Sequence, residues 1–230
     1  MSKFTFATRE EGFDNHIDKS IRGYSDLWND ILKLSEYFVE DDTDIVDIGC
    51  STGKLLKKMK ENNYSFAPKA SYIGVEIEES FYSEFDKDEE ECHYTKPIYV
   101  RGDILNYSMY NCSLVTSIFT LQFMSQKDRQ NVIDRIYQGL NKGGAFIFAE
   151  KTLAESARMQ DILTFTYYDY KKNFFGEKDI LDKESELRHM LKPVTEAQIY
   201  ESLYEAGFHE DYVESFWKSH LFQGFIAIKS

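Results

Sequence analysis

The chain has 230 residues, of which 42% are hydrophobic and 16% are aromatic, and it contains only 12 glycines and 3 prolines. This composition excludes disordered, collagen-like and proline-rich linker proteins, and it is typical of a single globular domain, which we expect to span residues 1–230. The formal net charge is −13. Direct binding of nucleic acid is therefore disfavoured, because nucleic-acid binders usually carry a basic surface.

The sequence also bears on location. No stretch approaches the roughly 20 apolar residues that a membrane-spanning helix needs, and the first residues contain no apolar signal-peptide core. Three widely spaced cysteines, Cys50, Cys92 and Cys112, argue against a disulfide framework. We expect a cytoplasmic protein with no membrane partner. The histidines lack a two-ligand spacing on a helix, so no metal site is predicted.

Short apolar runs alternate with helical patterns along the middle of the chain. The runs are nearly continuous, as strands buried on both faces of a parallel sheet must be, and they lie at residues 44–48, 72–75, 98–100, 113–119 and 145–148. Residues 55–62 and 126–140 have helical periodicity between these runs. Alternation of this kind predicts a doubly wound α/β sheet.

The two ends carry further elements. Residues 1–43 are predicted to form an N-terminal helical cover, and residues 152–192 a helical insert after the fifth strand that acts as a lid or an interface. A helix at 195–206 follows, and residues 212–229 alternate as a closing antiparallel pair would. The predicted fold is therefore a mostly parallel seven-stranded sheet with a C-terminal antiparallel hairpin.

A glycine-containing loop, residues 47–53, directly follows the first strand and precedes a helix. Gly49 and Gly53 lack Cβ atoms where a ligand approaches the backbone, and the start of the helix offers free N–H groups to an anion. Their spacing differs from the G-x-G-x-x-G of dinucleotide sites. Glu76 and Asp103 follow the next two strands, where carboxylates can accept from ribose hydroxyls and an adenine amino group. The series predicts a pocket for S-adenosylmethionine or S-adenosylhomocysteine.

Longer runs carry a family resemblance across roughly residues 20–230; they are residues 21–25, 119–123 and 136–145, with the pair Glu150-Lys151. On these runs the chain resembles the class I S-adenosylmethionine-dependent methyltransferases and, within them, the carboxy-S-adenosylmethionine synthases of tRNA wobble-uridine modification. The resemblance implies that the cofactor contacts Tyr24, Asp47, Gly49, Cys50, Ser51, Gly53, Glu76, Ile77, Asp103, Ile104 and Phe119. Candidates for a catalytic or substrate-holding role are Arg22, Tyr24, Lys171 and Arg188.

The chain departs from the synthase pattern at two positions. Ile118 stands where the synthases have an asparagine, and Ser185 stands where an ungapped comparison places the arginine that holds their added carboxylate. The sequence therefore favours methyl transfer to a small-molecule or tRNA-linked acceptor, a reaction that needs alignment rather than an acid–base dyad. The alternatives are formation of carboxy-S-adenosylmethionine from prephenate, and a non-catalytic cofactor-binding scaffold. A homodimer through residues 152–192 is also predicted.

Overall fold

A computed structural model describes residues 12–90 and 96–230 of the chain. Its strands are β1 (Asp44–Ile48), β2 (Ser71–Glu76), β3 (Ile98–Arg101), β4 (Cys112–Ile118), β5 (Leu140–Leu153), β6 (Val194–Thr195), β7 (Val213–Ser219) and β8 (Phe222–Ile228). Its helices are α1 (Phe13–Ser20), α2 (Tyr24–Ser35), α3 (Lys54–Asn63), α4 (Tyr82–Glu90), α5 (Gln126–Gly139), α6 (Ala157–Lys171), α7 (Glu177–Leu187) and α8 (Glu196–Ala206).

Seven of the strands form a sheet in the order β3-β2-β1-β4-β5-β8-β7, and the two-residue strand β6 pairs with β5 beside this path. The first five strands are parallel to one another, whereas β8 and β7 run antiparallel to their neighbours. This topology confirms the predicted doubly wound α/β fold with its C-terminal hairpin. The strand order reverses between β1 and β4, which is where open α/β sheets bind ligands at the carboxyl ends of their strands.

Two apolar clusters cover the two faces of the sheet. Side chains alternate between them along each strand, so that Phe146 and Phe148 of β5 belong to one cluster and Ala145 and Ile147 to the other. Helices α5 and α8 pack on the first face, and helices α2, α3 and α6 pack on the second. Because both faces are covered, the strands read in the sequence as continuous apolar runs.

The central elements agree with the predicted ones to within two residues, except for β5, which is longer than predicted at both ends. Strand β6 was not predicted, because two residues give no pattern. Among the described residues, no helix combines the length and the apolar character that crossing a bilayer requires. Residues 1–11 of the predicted N-terminal cover, and Cys92, lie outside the described residues. The roles of residues 1–43 as a cover and 152–192 as a lid stay predictions.

A charged cavity at the switch point of the sheet

A cavity of about 580 Å³ opens at the carboxyl ends of the parallel strands, a volume within the range of small-molecule sites. The loop after β1 and the ends of β2, β4 and β5 form its floor. Tyr24 and Trp28 of α2 line it from one side, and Tyr167 and Lys171 of α6 line it as well. The cavity thus lies where the strand order reverses and is bordered by the N-terminal helices and the insert.

The glycines of the β1 loop are needed for packing within the protein. Gly49 and Gly53 have φ angles of +72°, a conformation that side-chain-bearing residues rarely adopt. A Cβ atom on Gly49 would lie 2.2 Å from the Thr120 hydroxyl oxygen, and one on Gly53 would lie 2.4 Å from the Tyr99 hydroxyl oxygen. Gly53 is not among the lining residues. The missing Cβ of Gly53 therefore makes room for the Tyr99 side chain, and the contact of Gly53 with a cofactor stays a prediction.

Two lining residues other than glycine also have a positive φ angle, namely Ser51 (47°) and Phe119 (56°). Backbone strain in residues with side chains persists only where the surroundings impose it, and it is common at functional sites. In this protein the Phe119 N–H donates to the Ala149 carbonyl at 2.7 Å, and the Ser51 N–H donates to the Glu76 carboxylate at 2.8 Å. Neighbouring strands thus hold both residues in place at the cavity.

Glu76, at the end of β2, is 6% exposed and is held by the backbone. Its Oε2 accepts from Ser51 N–H and its Oε1 accepts from Glu78 N–H, each at 2.8 Å. Burial raises the pKa of Glu76, and these N–H bonds oppose that rise. Since each carboxylate oxygen has a second lone pair, the fixed carboxylate can accept two further hydrogen bonds from a ligand.

Asp103 lies one strand further out, directly after β3. Its Oδ1 accepts from Leu105 N–H at 2.9 Å, which fixes the start of a short 3₁₀ turn over Ile104–Asn106. Ile104 itself is 4% exposed and packs into the apolar core. Neighbouring strands are about 4.8 Å apart, so Asp103 and Glu76 form one acidic wall of the cavity.

Asp47 completes this acidic half of the cavity, which we define as Asp47, Glu76 and Asp103. It is 3% exposed, and its Oδ1 accepts from the Thr116 hydroxyl at 2.7 Å. Burial raises the pKa of Asp47 to about 7. Cys50 also lines the cavity, but burial raises the pKa of its thiol well above the usual value. Cys50 is therefore a thiol at neutral pH and not a nucleophile.

The opposite side of the cavity is basic, and we define this basic half as Lys151 of β5, Lys171 of α6 and Lys183 of α7. Lys171 is 4% exposed, although it carries a charge. The Lys171 Nζ lies 5.2 Å from the centre of the Tyr167 ring, and the Lys151 Nζ lies 5.8 Å from it. The Lys151 Nζ is also 3.6 Å from Glu184 Oε2. Because β5 is three strands from β2, the strand positions of Lys151 and Glu76 are roughly 14 Å apart in the sheet.

Most of the predicted cofactor residues do line this cavity: Tyr24, Asp47, Gly49, Cys50, Ser51, Glu76, Ile77, Asp103, Ile104 and Phe119. Of the candidates for catalysis or substrate holding, Tyr24 and Lys171 line it as well. Whether these residues contact a cofactor stays a prediction.

The candidates Arg22 and Arg188 do not line the cavity, and their role in the reaction stays a prediction. Arg22 is exposed in the turn between α1 and α2. On α7, positions 183, 184 and 187 face the cavity, whereas Ser185 and Arg188 are exposed. At about 100° per residue, positions 183, 184 and 187 share one side of the helix, and positions 185 and 188 lie outside that side.

Sequence reasoning missed several lining residues, among them Trp28, Lys151 and Phe222. Lys151 could have been predicted as a site residue, because it is a charged residue at the carboxyl end of the apolar run of β5, as Glu76 is at the end of β2. The aromatic residues give no such signal, since an aromatic residue in a helix or hairpin equally fits the core. Only the packing of α2, α6 and β8 around the sheet shows that they border a cavity.

Comparison with known proteins agrees along the whole chain. A family model described as "Methyltransferase domain" matches residues 45–144. The chain is 34% identical over 231 residues to the carboxy-S-adenosyl-L-methionine synthase of Staphylococcus epidermidis, covering 99% of this chain and 97% of the relative. It is 30% identical over 233 residues to the Escherichia coli protein of the same name, covering 100% of this chain and 93% of the relative.

Solved structures resemble it in fold. Human N-acetylserotonin methyltransferase in complex with S-adenosylmethionine aligns with a TM-score of 0.58 and 16% identity over 90% of this chain, which spans only 52% of the human chain. Magnesium protoporphyrin IX methyltransferase of Synechocystis with bound S-adenosylhomocysteine aligns with a TM-score of 0.63 and 14% identity, over 93% of this chain and 87% of that one. With this fold and the full-length relatives, the chain belongs to the S-adenosylmethionine-dependent methyltransferase superfamily and, within it, to the family of the carboxy-S-adenosyl-L-methionine synthases.

Proposed function

We propose that this protein is a methyltransferase that binds the nucleoside end of S-adenosylmethionine in the acidic half of the cavity and turns the reactive end toward the basic half. One observation carries this proposal. One cavity has Asp47, Glu76, Glu78 and Asp103 near the ends of β1, β2 and β3, and it has Lys151, Lys171 and Lys183 on β5, α6 and α7 with Glu184 beside them. A nucleoside offers hydroxyl and amino donors, which match the first set and not the second.

The chemistry of the acidic half fits the cofactor. The Glu76 carboxylate would accept from the two ribose hydroxyls while keeping its bonds to Ser51 and Glu78. Asp103 would accept from the adenine amino group, and the buried Asp47 would face the ammonium group of the methionine part. Each pairing places a donor of the ligand on a carboxylate that the backbone or Thr116 already orients.

When bound, S-adenosylmethionine supplies a methyl group whose bond to sulfur breaks with its electron pair left on sulfur, while an electron pair of the acceptor forms the new bond. The chain has to align the acceptor and exclude water. Tyr24 and Phe119 line the cavity with their ring centres 6.2 Å apart, and the edge of Phe222 meets Phe119 at 5.6 Å. Burial keeps the Tyr24 phenol neutral by raising its pKa, so it acts as a hydrogen-bonding wall and not as a base.

Two residues favour methyl transfer over synthesis of carboxy-S-adenosylmethionine. Ile118 gives the cavity an apolar side chain at the position where the resemblance implies an asparagine. Ser185 is exposed, and its hydroxyl donates to the Leu181 carbonyl of its own helix at 2.9 Å. Neither residue can supply the polar contacts of the synthases. Carboxy-S-adenosylmethionine synthesis is the second candidate, because 34% identity to a relative of that name extends over the full chain.

Mass spectrometry of the reaction products separates the two candidates. The full-length protein is incubated with S-adenosylmethionine, with and without prephenate, and the Escherichia coli relative is treated in parallel. We expect this protein to form no carboxy-S-adenosylmethionine above the level without enzyme, and to form S-adenosylhomocysteine when a methyl acceptor is added. Prephenate-dependent formation of carboxy-S-adenosylmethionine would show that the second candidate is the activity.

The proposal includes a homodimer through residues 152–192. Helix α6 exposes Met159 (46%), Ile162 (47%) and Phe165 (66%), and α7 exposes Leu181 (59%). Spacings of three residues put the α6 side chains on one side of the helix, where a second copy would remove them from water. Light scattering should give the mass of a dimer for the native protein and of a monomer for Phe165→Glu, and a monomeric native protein would refute this part.

The proposal also places the protein in the cytoplasm, with a small molecule rather than a nucleic acid as its direct partner. Cys50 and Cys112 are free and buried, as suits a reducing compartment. A net charge of −13 opposes binding to a polyanion. A tRNA should therefore not shift in a gel with this protein at physiological salt, and a salt-sensitive shift would contradict the choice of a small acceptor.

A further inference from the structure

Residues 119–123 form the turn that follows β4, and this turn borders the cavity. Phe119, Thr120, Gln122 and Phe123 line it. The turn also packs on the loop after β1, since a Cβ atom on Gly49 would clash with Thr120. Gln122 is buried although its amide offers both donors and an acceptor. Burying such a group costs free energy unless it is hydrogen-bonded, so its partners show what the amide stabilises.

The Gln122 side chain connects the ends of two strands. Its Nε2 donates to the Phe119 carbonyl at 3.1 Å, and its Oε1 accepts from the Lys151 N–H at 2.8 Å. Phe119 directly follows β4, Lys151 lies near the end of β5, and both line the cavity. Phe119 has a positive φ angle, which the surroundings must impose. The Gln122 amide therefore helps to hold a strained cavity residue against the next strand.

The backbone of the same turn holds the end of the insert. The Gln122 carbonyl accepts from the Lys192 N–H at 2.7 Å. The Arg129 Nη2 donates to the Leu121 carbonyl at 3.2 Å and to the Lys192 carbonyl at 2.8 Å, and it lies 3.8 Å from Glu150 Oε2. Arg129 and Glu150 are both buried, and Lys192 lines the cavity. One buried network thus connects the turn after β4 to the last residue of the insert.

This network lies away from the carboxylates that we assign to the nucleoside. Glu76 and Asp103 follow β2 and β3, whereas Gln122 connects the ends of β4 and β5. The strand order β3-β2-β1-β4-β5 puts β1 between the two pairs. A change at Gln122 should therefore affect the methionine part of the cofactor and leave the nucleoside in place.

We infer that Gln122 is a positioning residue for the methionine part of S-adenosylmethionine, which it affects through Phe119 and the end of the insert. This inference rests on the proposed function. Without the amide, the Phe119 carbonyl and the Lys151 N–H each lose the bond that Gln122 provides. Glu76 and Asp103 are unaffected, because N–H groups outside this network hold them.

Calorimetric titration of the full-length protein with S-adenosylhomocysteine and with adenosine tests the inference, because adenosine lacks the amino-acid part. Gln122→Met nearly keeps the volume of the side chain and removes its hydrogen bonds. We expect this variant to bind S-adenosylhomocysteine about tenfold more weakly and adenosine within twofold of the native protein, since two buried hydrogen bonds are lost beside the methionine part only.

Gln130→Met is the matched control. The Gln130 Nε2 donates to Asp134 Oδ1 at 2.8 Å and to the Ser202 carbonyl at 3.0 Å, so it also connects two elements, α5 and α8. Gln130 does not line the cavity, and its variant should bind S-adenosylhomocysteine within twofold of the native protein. If Gln122→Met does not fold, Gln122→Asn takes its place, because an amide one methylene shorter cannot span the two strand ends.

Hydrogen exchange separates positioning from direct contact with the ligand. The Lys151 amide should exchange faster in ligand-free Gln122→Met than in the native protein, because it loses its acceptor. Unchanged exchange together with weaker binding would mean that Gln122 contacts the ligand itself, which would overturn the positioning role.

The remaining outcomes distinguish this inference from the proposed function. A native protein that does not bind S-adenosylhomocysteine would refute the proposed function itself. If the native protein binds it, equal affinities of the Gln122 and Gln130 variants would overturn only the inference. A loss of adenosine affinity in Gln122→Met as large as the loss for S-adenosylhomocysteine would overturn it as well, because the network would then support the whole cavity.

Discussion

The acidic half of the cavity is made by strand ends and a tight loop, whereas the basic half is made by side chains of a strand and two helices that are far apart in the chain. Backbone N–H groups fix Glu76 and Asp103 within a few residues of their own positions or across one strand. Lys151, Lys171 and Lys183 depend instead on how α6 and α7 pack over β5. The acidic half depends on local backbone geometry alone, and we assign the cofactor to it. The basic half depends on the packing of the insert, which can differ without altering the strand ends, and we assign the acceptor to it.

Removing the Glu76 carboxylate should give the largest change and should affect only cofactor binding. Glu76→Ala leaves two ribose hydroxyls without their acceptor, at about 1.5–3 kcal/mol for bonds to a charged group. We expect a loss of about tenfold to a hundredfold in affinity for S-adenosylhomocysteine, measured by calorimetry. Glu79→Ala is the control, because Glu79 is exposed and does not line the cavity. If the two variants bound S-adenosylhomocysteine with equal affinity, Glu76 would not be the residue that binds the ribose.

The acidic half should also make cofactor binding depend on pH. The pKa of Asp47 is about 7 in the protein without ligand, so its carboxyl is largely protonated at pH 6 and ionised at pH 8. Because the ionised form attracts the ligand's ammonium group, affinity for S-adenosylhomocysteine should rise by up to about tenfold from pH 6 to pH 8. Asp47→Asn should remove most of this rise. A native protein whose affinity stays constant over this range would contradict the assigned role of Asp47.

The insert should respond to ligand more than the rest of the molecule does. If α6 and α7 cover the reactive end of the cofactor, hydrogen exchange across residues 152–192 should slow severalfold when S-adenosylhomocysteine is added. Helix α8, which packs on the other face of the sheet, serves as the internal control. Exchange in the insert that is unchanged by ligand would leave residues 152–192 without a lid function.

The smallest change in ligand affinity is expected for Ser185→Arg. This substitution places an arginine at the position where an ungapped comparison puts the arginine of the synthases. Ser185 is exposed on α7, so the new side chain points to solvent and not to the cavity. Affinities for S-adenosylmethionine and carboxy-S-adenosylmethionine should both stay within twofold of the native values. A selective gain for the carboxylated compound would mean that α7 lies in another rotation when a ligand binds.

The same contrast explains what the sequence could predict. The strand β1, its loop, and Glu76 and Asp103 follow local rules, so both their positions and their chemistry could be predicted. Arg188 was chosen from a helical segment whose inward face was unknown, and the inward positions proved to be 183, 184 and 187. Trp28 and Phe222 reach the cavity through packing between distant elements, which no local pattern in a single sequence reports.

A crystal structure of the protein with S-adenosylhomocysteine tests the central claim most directly, because it shows which half of the cavity holds the nucleoside. We predict the ribose hydroxyls on Glu76, the adenine beside Asp103, and the sulfur atom directed toward Lys171 and Tyr167. A nucleoside bound among Lys151, Lys171 and Lys183, or outside the cavity, would contradict the division into a cofactor half and an acceptor half.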